Sequence, residues 1–332
     1  MIVAICSTKN WYFYVATELY ALFKHNEVSK VYLFIENDGI PYLKDKRIEF
    51  INVNKINGYI SNQSPNYNTK YSKLSYIRCY FSKLLKEDKI LYIDADAIVV
   101  DNIKELWDLD ISNKAVAGIH EGGEWSKHLG IAGMDDKYIN SGVLLMNLDF
   151  IRKERIDDAM IHLLNTNYYA YPDQDVINIA CKDKIRYISN IYNSTETTGI
   201  VDNAKIIHYI RERKGWIPTS PRSEIWYRYY LEMLERSNGM VKIECIVTYD
   251  DLQLNRRVTI GEKLDVSKER AEYLVNERGL AKVVEVIPEE VKLEEVKEEA
   301  PVEMPTEAEV EAPVEEEVKL EPKKPVAKKR KK

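Results

Sequence analysis

The sequence predicts an α/β protein: a mixed, mostly parallel sheet flanked by helices, with a small α+β module and a disordered tail behind it. Three features of the 332 residues carry this prediction. Short apolar runs alternate with helix-period patterns through residues 1–239, and the pattern becomes strand–helix–strand over 240–287. Residues 288–332 hold six prolines but no glycine and no aromatic residue. The expected division is thus a main domain (1–239), an accessory module (240–287) and a tail (288–332).

Each element follows from its local pattern. Residues 2–6 (IVAIC) form a continuous apolar run, the mark of a strand buried on both faces. Residues 11–24 carry Val15, Leu19, Leu22 and Phe23 near helical spacing, and 31–35 and 48–53 return to strand character. Leu74, Ile77, Phe81, Leu84 and Leu85 mark an amphipathic helix. Residues 90–93 (ILYI) then make a strand that runs into Asp94-Ala95-Asp96. In sheets of this kind ligands collect beyond the carboxyl ends of the strands, so these acids stand where the fold places chemistry. In the module, 241–249 and 281–287 are strand patterns, and 265–278 is a helical one with Ser267 as cap and Gly279 as stop. The tail buries too little apolar surface to offset its chain entropy, so disorder is expected there.

Composition narrows the function. The chain is 45% apolar, with 54 acids, 48 bases and a net charge of −6. The asymmetry lies in the tail: residues 289–321 hold 14 acids and three lysines, and 322–332 hold seven bases and no acid. Without them the body has 38 bases against 40 acids, which lacks the basic stripe of a dedicated nucleic-acid binder. No apolar run approaches the ~18 residues of a membrane span. The start is too short and lacks the basic lead of a signal peptide. Cys6, Cys79, Cys181 and Cys245 show no CxxC pair, so reduced, buried thiols are expected. These features lead to the expectation of a soluble, cytoplasmic protein, with the accessory module and basic tail available to dock on a partner and the oligomeric state open.

Several residues offer chemistry. Asp94 and Asp96, at i and i+2 on a turn after a buried strand, can both reach one hard divalent cation, which prefers oxygen ligands and often shares them with a diphosphate. Asp108-Leu109-Asp110 has no strand before it and is expected to be a solvated turn. Asp173-Gln174-Asp175 opens a helix, where acids cap and complement the dipole. His208 ends an apolar run and suits either a hydrogen-bonded core position or a metal site. Arg78 suits a helix surface, Asn140 a turn, and Ser7, Thr8 and Asn10 a helix cap.

In order along the chain, Tyr76-Ile77-Arg78, the 90–96 segment ILYIDAD, the 138–147 segment YINSGVLLMN, Asp173-Gln174-Asp175 and His208 through Lys214-Gly215-Trp216 resemble glycosyltransferase family 8. The resemblance covers about residues 1–235. It implies a single Rossmann-like, nucleotide-binding fold of the GT-A type and a retaining transfer of a hexose, glucose or galactose, from a UDP-sugar to an acceptor hydroxyl on a glycan or protein. It implies Asp94, Asp96 and His208 as ligands of Mn²⁺, with Mg²⁺ as the second candidate, since an imidazole beside carboxylates favours manganese. Ser7, Thr8 and Asn10 are implied to hold uracil and ribose, and Lys214 to neutralise the diphosphate. Arg78, Asp94, Ala95, Asn140, Ser141 and Asp173 are implied on the donor, with Gln174 beside the anomeric carbon; Asp173 and Gln174 are the expected catalytic pair. The chain departs from the family in having Arg211 where a Gly is usual and Gly215 where a Pro is usual. That departure motivates an alternative, a catalytically weak UDP-sugar-binding protein; residues 240–287 and the charged tail motivate another, an adaptor that docks on a larger assembly. Glu121, Trp125 and His128 are expected around the acceptor.

Overall fold

Continuous apolar strands dictate the centre of the molecule. In the computed structural model, which describes residues 1–287 and 293 apart from 57, 59, 122–125, 132–133, 135–136, 238–239, 252–253, 255 and 267, β1 (Ile2–Cys6), β2 (Lys30–Ile35) and β3 (Ile48–Asn52) pair in parallel. β4 (Lys89–Ile93) adds in parallel on the other side of β1. A short antiparallel ribbon joins β5 (Ala97–Val99) to a later strand. β6 (Val116–Gly118) and β7 (Val143–Asn147) continue the main sheet, β7 running antiparallel to both β4 and β6, and β8 (Ile185–Tyr187) closes it in parallel with β6. The order is β3-β2-β1-β4-β7-β6-β8, the mixed, mostly parallel sheet that the alternation predicts.

Two strand relations position the site. Because β7 is antiparallel to β4, the entry to β7 (Asn140, Ser141, Gly142) lies at the same sheet edge as the exit of β4 (Asp94). The register Ile93↔Val143 is extended by Asp94 N–H donating to Gly142 C=O at 2.7 Å. The ribbon pairs β5 with β9 (Ile206–His208) in the register Ala97↔His208, which sets His208 beside Asp96.

Helices cover both faces. One face carries α1 (Tyr12–His25). On the other, Ser72 caps a 3₁₀ segment, Lys73–Tyr80, by accepting from Leu74 N–H, and α2 (Phe81–Leu84) follows. The expected α-helix over 74–85 is thus mostly 3₁₀: Leu74, Ile77 and Tyr80 recur every three residues and are all buried, the period of a 3₁₀ rather than an α face. α3 (Lys104–Asp108) is short; α4 (Leu148–Lys153), α5 (Ile156–Thr166) and α6 (Pro172–Ala180) complete the second face, and α7 (Ser223–Ser237) packs on α1. Asp108 and Asp110 are both exposed, but Asp108 is the last residue of α3 rather than part of the expected turn. All four cysteines are buried and free.

The 240–287 segment contains β10 (Met240–Cys245), the hairpin of β11 (Tyr249–Asp251) and β12 (Arg256–Val258), β13 (Lys263–Val266), α8 (Lys268–Glu272) and β14 (Ala281–Ile287). β10 pairs antiparallel with β13 and β14. The predicted helix over 265–278 is corrected at its start: Asp265 and Val266 belong to β13, because Leu264 and Val266 alternate with polar residues and pair with Ile243 and Val241. α8 continues as a π-helical turn over Tyr273–Glu277, and Gly279 ends it at φ 60°. Ser267 lies outside the described residues, as does the tail apart from Leu293. Val241, Ile243, Cys245 and Leu264 share one continuous core with α1 and α7. Among the described residues no helix is long and apolar enough to cross a membrane.

Candidate active site

At the carboxyl edge of the sheet lies a cleft of about 660 Å³, within the size range of ligand pockets. The turn after β4 builds its floor: Ala97 N–H donates to Asp94 C=O at 3.0 Å, so both carboxylates project from one tight bend. Asp94, Asp96 and His208 each offer a ligand atom, and the three lie within 4.8 Å of one another. His208 Nε2 is 3.2 Å from Asp96 Oδ1 and 3.7 Å from Asp94 Oδ2.

Gly142 makes room for this cluster. A Cβ at that position would lie 2.1 Å from His208 Cε1 and 3.0 Å from Asp94 Oδ2, so only glycine fits. Two carboxylates, an imidazole and a neighbour that leaves them space form a donor set suited to a divalent cation, and the residues fit the ion that the sequence implies.

Cations organise the surrounding charge. Arg78 is buried, 3% exposed, rather than on a helix surface. Its Nη2 donates to Asp94 Oδ1 at 2.6 Å and its Nη1 to Ser141 C=O at 2.7 Å, with Asp173 Oδ2 at 3.4 Å. Lys214 Nζ pairs with Asp96 Oδ2 and donates to Tyr209 C=O at 3.1 Å. Burial pushes Asp96 upward, but Lys214 and His208 outweigh it and hold the carboxyl well below its usual range. Burial lowers the His208 imidazole, and Asp96 and Asp94 overcome that to raise it. The cost of these buried charges is offset by mutual pairing, which explains why they cluster.

The opposite wall comes from α6 and the entry to β7. Asp173 is not a cap; the Ncap position is Tyr171 and Pro172 opens the helix. Asp173 accepts from Ser75 Oγ and from Ser141 Oγ, each at 3.2 Å. Burial raises its carboxyl, with Arg78 pulling down and Asp94 pushing up. Gln174 Oε1 accepts from Ser141 N–H at 3.0 Å, and its Nε2 donates to Tyr138 Oη at 3.3 Å. Asn140 is buried and donates to Glu121 Oε2 at 2.6 Å.

The structure therefore brings Thr8, Arg78, Asp94, Ala95, Asp96, Asn140, Ser141, Asp173, Gln174, His208 and Lys214 to one cleft. It does not bring Ser7 or Asn10 to the lining: Ser7 is buried, its N–H donating to Phe34 C=O at 2.9 Å, and Asn10 is exposed. Glu121 lines the cleft, His128 instead binds Asp175 Oδ2 at 2.8 Å, and Trp125 lies outside the described residues. Sequence reasoning missed Trp11, Tyr71, Ser75 and Tyr92, all on the lining. Tyr92 was visible only as a strand residue; its hydroxyl donates to Asp94 Oδ1. Of the two departures from the family, Gly215 has a local cause and nothing in the structure explains the arginine at 211. Arg211 adopts φ 57°, the left-handed backbone that a glycine takes without strain, and its residue lines the cleft. A Cβ at Gly215 would lie 2.8 Å from both Trp226 Cγ and Tyr209 Cε2, so the rings packed there demand glycine.

Fold and site together define an α/β protein with a ligand cleft at its sheet edge and a divalent-cation donor set on the cleft floor. The chain belongs to glycosyltransferase family 8, whose model matches residues 2–219. Glycosyltransferase GlyA of Streptococcus pneumoniae is 27% identical over 233 residues, covering 65% of this chain and 32% of that protein. The lipopolysaccharide glucosyltransferase WaaO of Escherichia coli K12 is 26% identical over 244 residues, covering 64% and 72%. The crystal structure of the galactosyltransferase LgtC, in complex with donor and acceptor sugar analogs, superposes with a TM-score of 0.53 at 20% identity, covering 69% of this chain and 95% of LgtC. That likeness is one of fold. The chain spans between 32% and 59% of the length of the first three curated relatives it matches.

Proposed function

We propose that this protein is a retaining, manganese-dependent hexosyltransferase that moves glucose or galactose from a UDP-sugar to a hydroxyl of a glycan or protein acceptor in the cytoplasm. One observation carries the reading: the ligand atoms of Asp94, Asp96 and His208, from two distant stretches of chain, meet within 4.8 Å on the cleft floor, with Lys214 paired to Asp96. Residues 1–239 would form the catalytic unit, with 240–287 as an accessory module and 288–332 as a tail.

Breaking the sugar–phosphate bond develops negative charge on the departing diphosphate and positive charge on the sugar. A divalent cation held by Asp94, Asp96 and His208 supplies electrostatic stabilisation of that leaving group. Lys214, on the same side of the cleft, presents its ammonium to the diphosphate. Arg78 orients Asp94 and joins it to Asp173. Asp173 and Asn140 suit hydrogen bonding to the donor sugar. Gln174, with both ends of its amide held, presents a neutral group rather than a nucleophilic carboxylate, which favours attack on the face that the phosphate leaves. Thr8 and the Trp11 ring, both on the lining, suit the nucleoside.

The test is incubation of the protein with UDP-glucose or UDP-galactose and Mn²⁺, with mass detection of UDP and of sugar-modified products. UDP release that requires the ion and is lost in Asp96→Asn supports the reading. Tight UDP binding without release would instead favour the non-catalytic alternative, whose motivation at Gly215 is weakened by the packing of Trp226 there.

A further inference from the structure

Only an unprotonated ring nitrogen of histidine can bind a cation, so the tautomer of His208 matters to the site. Its Nε2 faces the two aspartates, and its Nδ1 lies 3.0 Å from Asn193 Oδ1. Asn193 is fully buried, and the direction of its amide is fixed by a chain of hydrogen bonds that begins at a group of one polarity. The Gly142 backbone N–H can only donate, and it donates to Asn140 Oδ1 at 2.9 Å. That same oxygen accepts from Asn193 Nδ2 at 2.8 Å, while Asn140 Nδ2 donates to Glu121 Oε2 at 2.6 Å. Asn193 must therefore turn its oxygen toward His208, where it can only accept. In the neutral ring this acceptor holds the hydrogen on Nδ1, which leaves the Nε2 lone pair on the side of Asp94 and Asp96.

We propose that Asn193 is a positioning residue of the cation site: its amide oxygen holds His208 in the Nδ1–H tautomer and keeps Nε2 available to a divalent ion. The proposal rests on reading Asp94, Asp96 and His208 as a cation site. Without the amide oxygen, the imidazole is free to place its hydrogen on Nε2, where Asp96 accepts it and the nitrogen no longer binds metal.

The test uses the full chain in three forms: wild type, Asn193→Ala, and Asn193→Asp, whose carboxylate oxygen restores an acceptor. Free Mn²⁺ is counted by electron paramagnetic resonance during titration, and the ¹⁵N signals of His208 are recorded without metal, above the pH at which the ring titrates. The wild type should show the Nδ1–H signature. Asn193→Ala should move to Nε2–H and bind Mn²⁺ about 10–100-fold more weakly, and Asn193→Asp should recover most of that affinity. An Nε2–H signature in the wild type overturns the proposal without requiring any variant to fold. So does an Asn193→Ala protein that binds Mn²⁺ as tightly as the wild type. A wild type that binds no Mn²⁺ overturns the cation site itself along with it.

Discussion

Glu18 shows how a single side chain records the charge of its surroundings. It is fully buried on α1, and neither carboxylate oxygen has a hydrogen-bond partner among the described residues. Burial pushes its carboxyl well above the usual range, and the negative charges of Asp96 and Asp94 push the same way. A raised native pKa means that the acid stays neutral in the fold but ionises in the unfolded chain above roughly pH 4.3, so stability falls as pH rises beyond that value, by up to about 1.4 kcal/mol per pH unit. Glu18→Gln removes this penalty. Its thermal midpoint should match the wild type near pH 4 and exceed it once the pH rises above that, and equal midpoints at pH 7 would refute the assignment. Gly142 gives a second test. Gly142→Ala forces a methyl into the His208 ring, so Mn²⁺ affinity should fall by about tenfold or more while the circular dichroism spectrum is retained. Asp96→Asn removes a charge that Lys214 and His208 both need, and UDP release should drop by about 10²–10³. Asp94 and Asp96 could be found in the sequence because they stand two apart on the turn after an apolar strand run, and His208 because it ends such a run. Glu18, Asn193 and Gly142 could not. Their roles depend on neighbours far away in the chain, and a glutamate between helical apolar residues looks like any solvated position.

Among the elements, long apolar runs were the most legible. β1, β2 and β4 are buried on both faces, so their composition alone distinguishes them. The 3₁₀ segment Lys73–Tyr80 was less so, since Leu74 and Ile77 satisfy both a three-residue and a 3.6-residue period, and only the buried Tyr80, third in the three-residue row, and the inward turn of Arg78 separate the two. β13 was hidden by a different effect. Four residues from Lys263 to Val266 are too few to display alternation beside a longer helical pattern, and pairing with β10 decides their state. β10 itself makes the prediction at this scale. Ile243 is fully buried in the core that it shares with α1 and α7, so Ile243→Ala should cost about 2–5 kcal/mol of stability in denaturant titration.

For the molecule as a whole, an ion at the candidate cation site would couple binding to folding. The unfolded chain cannot hold residues from β4, β5 and β9 together, so an ion that binds only the native state stabilises it by mass action. Mn²⁺ at a hundred times its Kd should add about 2.7 kcal/mol and raise the unfolding midpoint of the wild type. Asp96→Asn should show no such rise. The register Ala97↔His208, fixed by three paired residues of a short ribbon, has a consequence for biosynthesis. The imidazole is supplied after both aspartates in translation, so a nascent or truncated chain that ends before β9 has Arg78 to balance Asp94 but neither His208 nor Lys214 to balance Asp96. Fragments of that length keep one balanced carboxylate and one unbalanced one, so they should bind Mn²⁺ more weakly than the full chain.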